Sequence, residues 1–186
     1  MSNHDAIEQG AEPVRLFDSL FECYHDAVLR YCVRRLGPSE AEDAAADVFA
    51  VVWQRLDLVP AGDGTRAWII GVAYKVVGNR FRSRRRRAQL SRRIKCEQGT
   101  RREDSPPPDP QTQTLHLALG RLSQTDQELI RLASWDDLSR SEIGEVLGIR
   151  VNAVDQRLHR ARTRLKTHFD HLAAASQASR PEEASI

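Results

Sequence analysis

Cysteine, methionine and aromatic residues are scarce in this chain of 186 residues: three, one and 6% respectively. Cys23, Cys32 and Cys96 are odd in number and fall into no metal-binding or redox spacing, which argues against a disulfide framework and a zinc site. Cys23 and Cys32 are read instead as small core or near-core residues, compatible with a reducing cytoplasm. Long apolar runs are missing too. None is long enough to cross a bilayer, and the opening "MSNHDAIEQGAEPV" is polar and acidic, unlike a signal or transit peptide. Nor is there a phosphate-cradling glycine loop, an HExxH pair or a nucleophile elbow. His168 and His171 have no further ligand beside them and are read as solvated. The expectation is a cytoplasmic protein that is not an enzyme, holds no metal or cofactor and inserts into no membrane.

What is present is charge, and it is segregated. The formal net charge is only +2, yet acids predominate early, at Asp18, Glu22, Asp26, Glu40, Glu42, Asp43 and Asp47. From Arg80 to Lys95 the chain is almost continuously basic, "RFRSRRRRAQLSRRIK". Different surfaces are thus prepared for different partners.

Periodicity gives the architecture. Phe17, Leu20, Phe21, Tyr24, Val28 and Tyr31 follow the three-and-four spacing of one helix face. Gly37 and Pro38 break that helix, and Ser39 with Glu42 has the pattern of a capping box for the next. The new helix repeats Ala41, Ala44, Val48, Val52 and Leu56, widened by Phe49 and Trp53, opposite Glu42, Asp43, Asp47 and Gln54. "VPAGDGTR" interrupts again. A further helix from Ala67 sets Trp68, Val72, Val76 and Phe81 against Lys75, Asn79 and Arg82. Trp68, on the apolar side, is expected in the core. No strand alternation occurs, so the fold class is all-α: two small helical domains joined by a Pro-rich linker. The boundaries read as a disordered tail 1–13, a first domain 14–95, a linker 96–114, a second domain 115–172 and a disordered tail 173–186.

The second block has sharper punctuation. Ser123 with Gln127 and Ser139 with Glu142 mark helix starts, the latter a proper capping box. The helix from about Ser141 ends at Gly148, a residue type suited to a left-handed cap. After a short turn, Val151, Val154, Leu158, Ala161 and Leu165 share one face, and Asn152, Gln156, His159, Arg160 and Thr163 the other. A solvated amphipathic helix would fit that pattern. So would a helix–turn–helix whose second helix enters the major groove, where Asn, Gln and Arg pair well with base edges. The capped first helix, the glycine turn and the polar face together favour DNA.

Taken in order, "FECYHDAVLRYCVRRLG", "AEDAAADVFAVVWQRL", "RAWIIGVAYKVVGNRFRSRRRR", "ALGRLSQTDQELIRL" and "LSRSEIGEVLGIRVNAVDQRLHRARTRLK" resemble an alternative sigma factor of the extracytoplasmic-function (ECF) type. The match spans about Leu16–Arg87 and Leu115–Phe169. The resemblance implies a dissociable subunit that binds core RNA polymerase, recognises −10 and −35 promoter elements and is held off by a cognate anti-sigma factor. It implies that Ala41 to Leu56 docks on the polymerase clamp, with Glu42, Asp43, Asp47, Phe49 and Trp53 in contact. It implies that the loop Val59 to Arg66 and the next helix handle the single-stranded −10 element, through Lys75, Asn79, Arg80, Arg82, Arg84, Arg85, Arg86 and Arg87. It further implies reading of the double-stranded −35 element by Asn152, Gln156, His159 and Arg160, with Arg157, Arg162 and Arg164 on phosphates.

The chain departs from the family pattern at Ala46, where glutamine is common, at Lys75, where asparagine is usual, and at Arg150, where relatives carry Ser or Thr. "NAV" stands for a commoner "GTV", and Asp155 replaces a base. Asp155 can pair with His159 four residues on, on the side of Arg162, or accept from a cytosine amine; the pairing role is preferred. The competing function is a free-standing helix–turn–helix regulator that never touches polymerase. That reading needs a dimer interface, and no long heptad stretch offers one.

Overall fold

The computed structural model describes residues 3–94 and 109–178, and they divide into two compact units. The first contains α1 (Asn3–Leu36), α2 (Pro38–Gln54), a 3-10 turn (Leu56–Leu58) and α3 (Gly64–Ile94). To the second belong α4 (Pro110–Gly120), α5 (Gln124–Ser134), the greater part of α6 (Arg140–Leu147) and α7 (Val151–Ala178). No strand occurs among the described residues. The two-block, all-helical reading therefore holds.

Three boundaries differ from the expectation. Helix α1 begins at Asn3 rather than after residue 13, and Pro13 lies inside it; Ala6, Glu8, Gln9, Ala11 and Glu12 are good helix formers. Helix α4 starts at Pro110, inside the stretch read as linker, because proline at the first helical position arrives with its φ already set. Helix α7 runs to Ala178, past residue 172, on the strength of Ala173, Ala174 and Ala175. The rest of the expected linker, with Cys96, and the last eight residues lie outside the described residues.

In the first unit the three helices pack on one another around Leu20, Val28, Tyr31, Cys32 and Leu36 of α1. Facing these are Ala41, Ala44, Val48, Phe49 and Val52 of α2, and Ala67, Ile69, Ile70, Ala73 and Val77 of α3. The expected phase of α3 is displaced: Val72 is buried, but Trp68 and Val76 are half-buried and Phe81 is exposed. Ala67 and Ala73 are almost fully buried, a role for small residues that hydropathy alone underweights. The entry to α2 differs as well. Its N-cap is Gly37, at φ 85°, with Pro38 following and no side-chain cap, so Ser39 sits inside the helix and the expected box does not form. Burial pushes the Cys32 thiol up to about 11, against the opposite pull of Arg35 and Arg80. At neutral pH it is an inert apolar filler.

The second unit buries Ala118, Leu119, Leu122, Leu129, Ile130, Leu132, Leu138 and Ile143 against Val154, Leu158 and Ala161 of α7, which packs on both α4 and α5. Ser123 caps α5, its Oγ accepting from Asp126 N at 3.1 Å.

Candidate nucleic-acid interface

The α6–α7 corner is held by its backbone. At the start of α6, Ser139 N donates to Glu142 Oε2 at 2.7 Å and Glu142 N to Ser139 Oγ at 3.3 Å, the reciprocal box expected from the sequence. At its end Gly148 takes φ 65°, and two bonds close a Schellman motif: Ile149 N to Gly144 O at 2.9 Å and Gly148 N to Glu145 O at 3.3 Å. Gly144 is equally constrained. A Cβ there would come within 2.8 Å of the Ile149 carbonyl oxygen, so no larger residue fits without moving the turn. Arg150 supplies no side-chain acceptor, and its carbonyl accepts from Ala153 N and Val154 N.

Helix α7 leaves this corner with Val154, Leu158 and Ala161 inward. Val151 was expected on that face but is 43% exposed, lying in the first turn. Asn152, Asp155, Gln156, Arg157, His159, Arg160, Arg162 and Arg164 are all exposed. The outward side thus offers amide, imidazole and guanidinium groups within three turns, the donor set suited to base edges and phosphates.

Asp155 does have a structural partner, though a different one. Arg140 at the start of α6 donates from Nε to Asp155 Oδ1 at 2.9 Å, where His159 had been expected to pair. The bridge runs between the two helices of the motif and not along one of them. Arg164 likewise reaches another helix, Nη1 to Asp126 Oδ2 at 2.9 Å; Asp126 is the mostly covered member, its side chain 15% exposed.

In the first unit the basic run continues α3. Lys75, Asn79, Arg82, Arg84, Arg85, Arg86 and Arg87 are exposed and Arg80 is half-buried. Two of these arginines cross to α2. Arg80 donates to Asp47 Oδ2 from both Nε, at 3.2 Å, and Nη2, at 2.5 Å, and Arg84 pairs with Glu40. The Arg80 guanidinium is held above its ordinary pKa, first by the Asp47 hydrogen bond and, against the cost of burial, by the fields of Asp47, Asp43 and Glu40. Arg82 bonds Asn79 within the helix. The loop before α3 is pinned by Thr65, whose Oγ1 donates to Pro60 O at 2.6 Å.

On α2, Glu42, Asp43 and Asp47 face solvent. Phe49 corrects the sequence reading: at 3% exposure it is a core residue and has no surface to offer a partner. Its ring lies 4.7 Å from Phe21 and 6.3 Å from Phe17. Trp53, 47% exposed, meets Phe17 edge-on at 5.2 Å and remains available. Arg140, Asp126, Thr65 and Gly144 were not singled out from the sequence, and Glu40 was named there only among the early acids. Of the four, Gly144 left a signal, as a glycine one turn before the cap glycine.

Comparison with known proteins follows the same division. The Sigma-70 region 2 family model matches residues 20–87 and the Sigma-70 region 4 model residues 112–165. The chain is 29% identical to the RNA polymerase sigma factor YlaC of Bacillus subtilis over 175 residues, 91% of this chain and 95% of that one. To the ECF sigma factor SigW of the same organism it is 26% identical over 168 residues, covering 84% and 90%. Among solved structures it resembles CnrH, a sigma factor of Cupriavidus metallidurans, in complex with the cytosolic domain of CnrY. There the TM-score is 0.58 at 26% identity, covering 83% of this chain and 88% of the other. A region 2 block of three packed helices, followed by a region 4 block ending in a helix–turn–helix, makes this chain an ECF sigma factor, which binds core RNA polymerase and directs promoter-specific transcription.

Proposed function

We propose that α7 reads the −35 element through Asn152, Gln156, His159 and Arg160, while Arg157, Arg162 and Arg164 hold its phosphates. The observation that carries this is the polar outer face of α7, set at a fixed angle by a turn made of main-chain bonds. Asp155 is a positioning residue for that helix, acting through Arg140. Helix α3 and the loop 59–66 handle the −10 strand. Lys75, Asn79 and Arg80 face it, and Arg82 with Arg84 to Arg87 follows its backbone, adding affinity without sequence. On α2, Glu42, Asp43 and Asp47, with the exposed ring of Trp53, form the polymerase contact.

The factor acts by binding alone, with no chemistry of its own, in the cytoplasm beside the polymerase. An anti-sigma protein holds it off; the solved complex of CnrH with the cytosolic domain of CnrY supports this by analogy. The test is run-off transcription of fragmented host DNA by core polymerase, with and without the purified chain. Discrete new transcripts sharing paired upstream elements give the promoter, and Gln156→Ala must then alter use of the upstream element alone. A folded chain that binds promoter duplex well but not core polymerase would be a free-standing regulator instead.

A further inference from the structure

Helices α2 and α3 face each other with opposite charge in register. Glu40 and Asp47 are seven residues apart on α2, two turns or about 10 Å, and Arg84 and Arg80 stand opposite in reverse order. Asp43 lies between the two acids, and its field also acts on Arg80. These same arginines are the ones assigned above to the −10 strand, and these acids lie on the helix assigned to the polymerase. Each group therefore faces two competing partners, one inside the unit and one outside it.

We propose that the Asp47–Arg80 and Glu40–Arg84 pairs form a charge clasp that withholds two −10-binding arginines in the free chain, and that a basic polymerase surface opens it by taking up the α2 acids. The inference rests on the roles given to α2 and α3 above. A carboxylate shared with a partner's lysine or arginine holds its own arginine less tightly, so the guanidinium becomes available to a phosphate. By linkage the effect is reciprocal: strand binding that removes Arg80 and Arg84 leaves the acids freer for the polymerase. The clasp is partly solvent-exposed, with side-chain exposures of 25% and 58% for Arg80 and Asp47 and 42% and 38% for Arg84 and Glu40. Screening limits each such pair to about a two- to fivefold effect, so the two together amount to about tenfold. That is enough to bias a factor against single strands while it is alone and too little to lock it shut.

The experiment uses the full chain without polymerase and a fluorescent single strand carrying the −10 region of a promoter obtained by run-off transcription. Anisotropy titrations compare the wild type with Glu40→Gln/Asp47→Asn and with Asp18→Asn/Glu22→Gln, which changes the net charge equally away from the clasp. The clasp variant is expected to bind about tenfold more tightly than wild type and the control less than about twofold. A clasp variant that gains no more than the control overturns the proposal. Failure of the underlying reading has a separate signature: Arg80→Ala/Arg84→Ala that leaves opening of the promoter by the polymerase complex unchanged would show that these arginines hold no −10 strand.

Discussion

Helix α3 places Arg80 and Arg84 against Asp47 and Glu40 of its neighbour, whereas α7 turns Asn152, Gln156, His159 and Arg160 outward and uses Asp155 and Arg164 for bridges at its flanks. The helices that precede them in the chain are also started differently. Helix α2 begins at Gly37 and Pro38 with no side-chain cap, while α6 begins with a complete capping box and ends in a Schellman turn. The difference separates two ways of presenting basic residues. In the second unit the groups assigned to reading make no ion pair with a neighbouring helix among the described residues, Arg160 bonding only the Gln156 carbonyl of its own helix, and the frame beneath them is fixed. In the first the frame is ordinary and Arg80 and Arg84 are themselves engaged by another helix.

The largest break in that comparison is expected from Leu158→Ala, which empties a buried site beneath the reading face. It should cost about 2–5 kcal/mol, seen as earlier denaturant unfolding of the second unit in hydrogen exchange, with protection of α1 to α3 unchanged. Next comes the reading face itself. Gln156→Ala should lose about 1–3 kcal/mol of discrimination at one −35 position, whereas Arg157→Ala should weaken all sequences alike and flatten the salt dependence. Competition binding against a panel of single-base variants distinguishes the two; equal behaviour would remove the division between reading and anchoring residues.

A smaller effect sharpens the contrast in capping. Ser139→Ala should destabilise α6 by about 1 kcal/mol, while Ser39→Ala, inside α2, should stay within about 0.5 kcal/mol of wild type. Both are read by exchange protection in the helix concerned. The smallest is the interhelical bridge. In a double-mutant cycle, Arg140→Ala and Asp155→Ala should couple by about 0.2–1 kcal/mol and change affinity uniformly over −35 variants. Relaxed preference at one position after Asp155→Ala alone would make that residue a base reader.

Much of this was legible in the sequence because it was local. The Ser139–Glu142 box and the Gly148 cap each involve residues within one turn of a helix, and both form. Ser39 with Glu42 had the same pattern and failed, because Gly37 and Pro38 start the helix two residues earlier. The phase of α3 was displaced because its apolar residues, from Ala67 through Val77, surround most of the helix and packing against two neighbours decides which are buried. Phe49 was read as a docking contact for the opposite reason: an aromatic on the border of a face can turn inward, and it joined Phe17 and Phe21. The ion pairs were the least visible. Arg80 and Asp47 are 33 positions apart, Arg84 and Glu40 44, and Arg140 and Asp155 15, beyond the reach of any helical wheel.

The corner between α6 and α7 closes through main-chain atoms and the missing side chain of Gly144. None of the four groups assigned to base reading takes part in it. On that assignment, substitution at Asn152, Gln156, His159 and Arg160 would rewrite promoter preference while the joint that aims them is inherited unchanged. A duplicated copy of such a chain could acquire a new set of target genes without first having to solve its fold again.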